Sequence, residues 1–149
     1  AMRYFDETGE CVFCKILAEE LRCGERIVVE TGSFVSFVPY AALSPFHMWI
    51  MPRRHMGAFS QMSDPEVCDL AKNLKLTLSK LYHGLNNPDY NFVVRSVPVK
   101  ESDREYYHWY ITIMPRLTRQ AGFEIGTGMS INTSFPENDA AFLRGVAVR

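Results

Sequence analysis

Residues 63–88 set the strongest limit on what this chain can fold into. Ser63 is a good helix cap, Pro65 falls where a missing N–H costs nothing, and Glu66 stands three residues after Ser63. Val67, Leu70, Ala71, Leu74, Leu78 and Leu81 then recur at helical spacing, predicting a helix over 64–83 with that set as its buried stripe. Gly84 and Pro88 end it. A helix this long with one apolar face must lie on another apolar surface, and the flanking sequence supplies one. Arg26–Glu30, Phe34–Val38 and His47–Met51 precede it, and Tyr90–Val94 and Tyr107–Met114 follow, all rich in β-branched and aromatic residues. Thr31-Gly32-Ser33 turns between the first two. A second helix is predicted over Cys11–Arg22, stopped by Gly24, and a short last one from near Pro136, capped by Ser134. Gly122–Asn132 reads as loop. Strands on both sides of one long helix predict an α+β fold, an antiparallel sheet with flanking helices.

With 149 residues, 47% of them hydrophobic and 22% charged, the chain is expected to form one folded domain over residues 1–149. Sixteen basic against 17 acidic residues give a net charge of −1, which removes the electrostatic case for nucleic acid or an anionic membrane as partner. No apolar run approaches the roughly 18 residues of a membrane span. The N-terminus lacks the basic-then-apolar layout of a signal peptide, so a reducing cytoplasmic setting is expected. There, four cysteines favour metal or free thiols over disulfides.

Cys11-Val12-Phe13-Cys14 puts two thiolates close together, a common way to present soft ligands to zinc, and also a spacing found by chance or in redox motifs. Cys23 and Cys68 read as plain buried or half-buried thiols. Zinc needs two further ligands, and there are four histidines. His55 sits at a strand exit and His108 at a strand start; His47 alternates with Trp49 as a sheet residue; His83 ends the long helix, where a cation suits the macrodipole. The residues alone leave a metal site and two inert thiols both open.

The motifs resolve this by resemblance. Cys-Val-Phe-Cys-Lys-Ile-Leu-Ala-Glu-Glu from Cys11, Phe37-Val38-Pro39-Tyr40-Ala41-Ala42, and Trp49-Ile50-Met51-Pro52-Arg53-Arg54-His55 resemble the histidine-triad (HIT) superfamily. Asn87-Pro88-Asp89-Tyr90-Asn91, His108-Trp109-Tyr110, Met114-Pro115-Arg116-Leu117 and the run Gly122 to Gly128 are similar to the second half of galactose-1-phosphate uridylyltransferase-like proteins, a group that includes ADP-glucose phosphorylases. The resemblance implies a HIT-like domain with about five antiparallel strands, pairing of two such units, and one Zn2+ held by Cys11, Cys14, His55 and His108.

It also implies nucleotidyl transfer on nucleotide-sugars and sugar phosphates, in which a histidine attacks the α-phosphorus. The triad stretch here reads His108-Trp109-Tyr110-Ile111-Thr112, so Tyr110 stands in the nucleophile's place and Thr112 in the third position. The isolated chain is therefore expected to lack the nucleophile and to depend on an N-terminal, nucleophile-bearing half. The alternative is a non-enzymatic nucleotide-binding or scaffold homodimer. Arg116, Arg119, Gln120, Phe123, Gly126 and Gly128 are the candidate ligand contacts, since glycines admit close backbone approach and arginine pairs phosphate; Arg53 and Arg54 are weaker candidates.

Overall fold

The computed structural model describes residues 1–119 and 121–148. Its elements in order are α1 (Met2–Thr8), α2 (Val12–Cys23), β1 (Ile27–Glu30), β2 (Phe34–Phe37), β3 (Met48–Pro52), α3 (Asp64–Gly84), β4 (Tyr90–Arg95), β5 (Tyr110–Pro115), α4 (Gly122–Thr127) and α5 (Pro136–Gly145). The strands form one antiparallel sheet in the order β1-β2-β3-β5-β4. The α+β architecture expected from the sequence is the one observed. Among the described residues, no helix is long and apolar enough to cross a membrane.

Strand alternation sends successive side chains to opposite faces, and the helices divide between them. Phe34, Met48, Ile50, Ile111 and Ile113 meet Leu70 and Leu81 of α3 and Ala140 and Leu143 of α5. Val35, Phe37 and Met51 on the other face meet Leu17, with Phe13, Ile16 and Leu21, of α2.

The cap of α3 forms as expected, with Glu66 accepting from both Ser63 N–H (2.8 Å) and Ser63 Oγ (2.9 Å). The predicted stripe is shifted. Val67, at 47% exposure, and Ala71 lie outside, whereas Asn73 and Thr77 are fully buried. The reason is a polar partner on the sheet: Ser36 Oγ bonds Asn73 Oδ1 and lies 2.8 Å from Thr77 Oγ1. That network draws the polar residues inward and satisfies them there.

Three further expectations are corrected. Gly122–Asn132 contains α4, because Glu124 accepts from Ala121 N–H at its start and Gly128, at φ 71°, closes it. Ser134 does not cap α5; Phe135 holds that position, and Ser134 Oγ bonds Asp139 instead (2.7 Å). Cys23 and Cys68 are exposed rather than buried. The short α1 has no side-chain cap and buries no residue, so little in its sequence marks it.

Candidate metal centre

Cys11 is the N-cap of α2 and Cys14 lies in its first turn, so one helix start presents both sulfurs. His55 follows the end of β3, and His108 stands two residues before β5, which begins at Tyr110 and not at Tyr107 as the sequence predicted. Two contacts lock those loops together. Trp109 N–H donates to the Met56 carbonyl (2.9 Å), and Gly57 presses against the backbone of 102–104, where an added Cβ would lie 3.1 Å from the Ser102 carbonyl. Arg54 grips Glu66 through two bonds, of 3.0 and 2.9 Å, anchoring the residue before His55 to the cap of α3.

The result is a cluster. The ligand atoms of Cys11, Cys14 and His55 lie within 4.8 Å of one another. Cys14 Sγ is 3.1 Å from His55 Nδ1 and 3.3 Å from His108 Nδ1. Sulfur and nitrogen on one tetrahedral zinc stand roughly 3.5 Å apart, from bond lengths of about 2.3 and 2.0–2.1 Å. His108 is fully buried, and its Nε2 has no hydrogen-bond partner among the described residues. Two sulfurs and two imidazoles, both histidines turning Nδ1 toward Cys14, fit a soft metal ion. Burial, helped by the neighbouring His55, holds the His108 imidazole down at about 4, so it is a neutral donor at ordinary pH. Of the thiols, Cys11 ionises first: a hydrogen bond from the Cys14 side chain and the N–H groups of Cys14 and Phe13 pull it to about 6, while Cys14 is pushed up.

The triad stretch continues from His108 into β5. Tyr110 is half-buried in an aromatic stack, with ring centroids 4.4 Å from Trp49 and 5.4 Å from Phe13. Burial raises its phenol above the ordinary value. Thr112 Oγ1 lies 2.6 Å from His47 Nε2. His47 Nδ1 accepts from Leu43 N–H (3.1 Å), which places the imidazole proton on Nε2 and makes it the donor to Thr112. His47, just before the central strand β3, is thus a satisfied buried histidine apart from the cluster, and exposed His83 lies on α3, also apart.

Of the candidate ligand contacts, Arg116 and Arg119 line a polar cavity of about 550 Å³ with Asn91, Ser44, Thr118 and Glu124. Phe123, 56% exposed, and Gly126 belong to α4, and Gly128 caps it. Gln120 lies outside the described residues. Arg53 and Arg54 are already paired, with Glu30 and Glu66. The Arg116–Asn91 cavity carried no sequence signal beyond its arginines, because β4 and the 114–131 segment meet only in the fold.

The five-stranded antiparallel sheet, with this cysteine pair and triad strand, is that of a histidine-triad-like domain. A zinc-bound histidine triad family protein from Mycobacterium smegmatis shares it, with a TM-score of 0.59 at 18% identity over 90% of each chain. The chain belongs to the family of the galactose-1-phosphate uridyl transferase C-terminal domain, whose pattern matches residues 1–139. It is 41% identical over 147 residues to the ADP-glucose phosphorylase of Arabidopsis thaliana, covering 97% of this chain and 40% of that protein. The crystal structure of an ADP-glucose phosphorylase from Arabidopsis thaliana with bound ADP-glucose overlays it with a TM-score of 0.86 at 40% identity, over 99% of this chain and 46% of that one. The galactose-1-phosphate uridylyltransferase of Thermotoga maritima is 31% identical over 158 residues, covering 99% of this chain and 49% of that protein. The chain spans less than half the length of these two transferase-type relatives.

Proposed function

We propose that this chain is the zinc-holding, non-nucleophilic half of a nucleotidyltransferase acting on nucleotide-sugars and sugar phosphates, in a reducing cytoplasm. The observation that carries this reading is Tyr110. In the middle triad position it is an un-ionised phenol, stacked between Phe13 and Trp49, and its hydroxyl makes no hydrogen bond to a base among the described residues. A nucleophile needs an activating neighbour or a depressed pKa, and Tyr110 has neither. His108 next to it stays in the metal cluster, so the strand serves architecture. The attacking histidine would come from a partner half.

The outer edge of the sheet supports such pairing. β4 is bonded on one side only, to β5, and Tyr90, Phe92 and Val94 are 45, 43 and 39% exposed. Beside Tyr90, Ala71, Leu74, Leu78 and Tyr82 of α3 line an open, mainly apolar cavity of about 590 Å³. An exposed apolar edge strand calls for cover. The segment bearing Arg116, Arg119, Gln120, Phe123, Gly126 and Gly128 would then contribute phosphate and sugar contacts to the shared site.

Incubating the isolated chain with labelled UDP-glucose or ADP-glucose tests the assignment. No covalent nucleotide is expected; an acid-labile adduct on this chain would overturn it. The same apolar edge favours one alternative, a homodimer that binds nucleotides or only preserves the fold. Sedimentation shows whether the chain self-associates, and calorimetry with nucleoside mono- and diphosphates separates a binder from a scaffold.

A further inference from the structure

We infer that Cys11 and Cys14 form a peroxide-sensitive site, at which oxidation joins the two sulfurs as a disulfide and expels the metal ion. The inference rests on the metal-centre reading above. Four protein ligands would fill the coordination of a structural zinc ion here. Three of those residues nevertheless line an open cavity. Cys11, Cys14 and His55 form part of the wall of a solvent-open cavity of about 570 Å³, with Glu10, Lys15 and Glu105 at its rim. A small neutral oxidant therefore has a path to the half-buried Cys14, with the buried Cys11 beside it.

The sulfurs are also placed to react with each other. They lie within 4.8 Å, three residues apart at the start of α2. Cys11 is the N-cap, with an extended backbone (φ −73°, ψ 119°), outside the regular helical turns. Shortening the gap to the roughly 2.05 Å of a disulfide calls for side-chain rotation and a small movement at one helix end. Cys23 and Cys68, exposed on α2 and α3, belong to neither the cluster nor its cavity.

The chemistry balances with hydrogen peroxide as oxidant. One thiolate attacks a peroxide oxygen, the O–O bond breaks, and the departing hydroxide takes a proton to become water, leaving a sulfenic acid. The second thiolate attacks that sulfur and displaces hydroxide, which leaves as a second water. The two sulfurs give up two electrons, and peroxide accepts them. His55 and His108 then remain as the only ligands, too few to hold the ion.

The test uses the full chain carrying C23S and C68S, loaded with one zinc ion and titrated with hydrogen peroxide. Released zinc is read with a chromophoric chelator and the protein by intact mass. The expected result is one zinc released per chain with a mass loss of about 2 Da, mapped to a Cys11–Cys14 link and reversed by dithiothreitol plus zinc. Zinc retained at tenfold excess peroxide overturns the inference, as does release accompanied by oxygen addition in place of the disulfide. A chain that takes up no zinc when offered it fails earlier and sinks the metal reading itself.

Discussion

His47 shows how far a side chain's role depends on neighbours remote in sequence. The four histidines look alike in the sequence, and spacing alone does not divide ligand from bystander. In the fold, His47 is 3% exposed and bonded at both nitrogens, while His55 and His108 face Cys14. Burial lowers the His47 imidazole to about 4 from its usual 6.5. Between those values the unfolded chain binds a proton that the folded chain refuses, so stability rises with pH across that window and is lost as pH falls through it. The swing is on the order of 3 kcal/mol. Urea midpoints between pH 7 and 4 should fall for the wild type and fall less for H47Q; parallel curves would show that His47 is not the source. Arg26 makes a second case. It bonds Glu20, itself 3% exposed, at 2.9 Å and Glu137 at 2.7 Å, tying the lead into β1 to α2 and α5. R26M strands the Glu20 carboxylate in the interior and should cost roughly 3–5 kcal/mol in urea unfolding, with R26M/E20L recovering part of it.

At the scale of elements, what could be read from the sequence was what is written locally. The α3 cap and length, the five strands to within a few residues, and the turn of α2 all rest on short-range signals. Asn73 and Thr77 defeated that reading because their partner, Ser36, is a β2 residue far away in sequence, and hydrophobic periodicity is blind to buried polar pairs. The helix α4 was missed for a similar reason, since Glu124 that starts it also accepts from Ile131 N–H (3.1 Å), beyond its end. The clearest tie between elements is Lys80, whose ammonium donates to the carbonyls of Leu143, Arg144 and Val146 at 2.9–3.1 Å. It neutralises the exposed carbonyls and the negative dipole end of α5. K80M should cost about 1–3 kcal/mol and raise amide exchange first in the last turn of α5; unchanged protection there would refute the capping role.

For the molecule as a whole, the proposed metal ion would decide whether the fold survives alone. The cluster joins α2 to the loops after β3 and before β5. A structural zinc of this kind contributes on the order of 10 kcal/mol, comparable with the entire net stability of a typical domain, about 5–15 kcal/mol. Strong chelators should therefore unfold the chain or lower its Tm by tens of degrees, and zinc should restore it. A metal-free chain with unchanged Tm would show the cluster to be incidental. The cysteine pair was visible in the sequence; its union with His55 and His108 came from family resemblance first and from the fold second, because contacts 41 and 94 residues apart leave no local trace.

The position of Phe13 has one more consequence. It stands between Cys11 and Cys14 on the first turn of α2, with its ring against Tyr107 and Tyr110, and Tyr110 lies against Trp49. Any event that loosens that turn passes through the stack to an indole. Trp109 lies on the opposite side of the sheet with Phe34 and Phe59, outside that stack. Emission should thus shift with loading of the cluster through Trp49, a response that W49F should reduce. Such a shift would make Trp49 an unlabelled fluorescent gauge of what the cysteines hold.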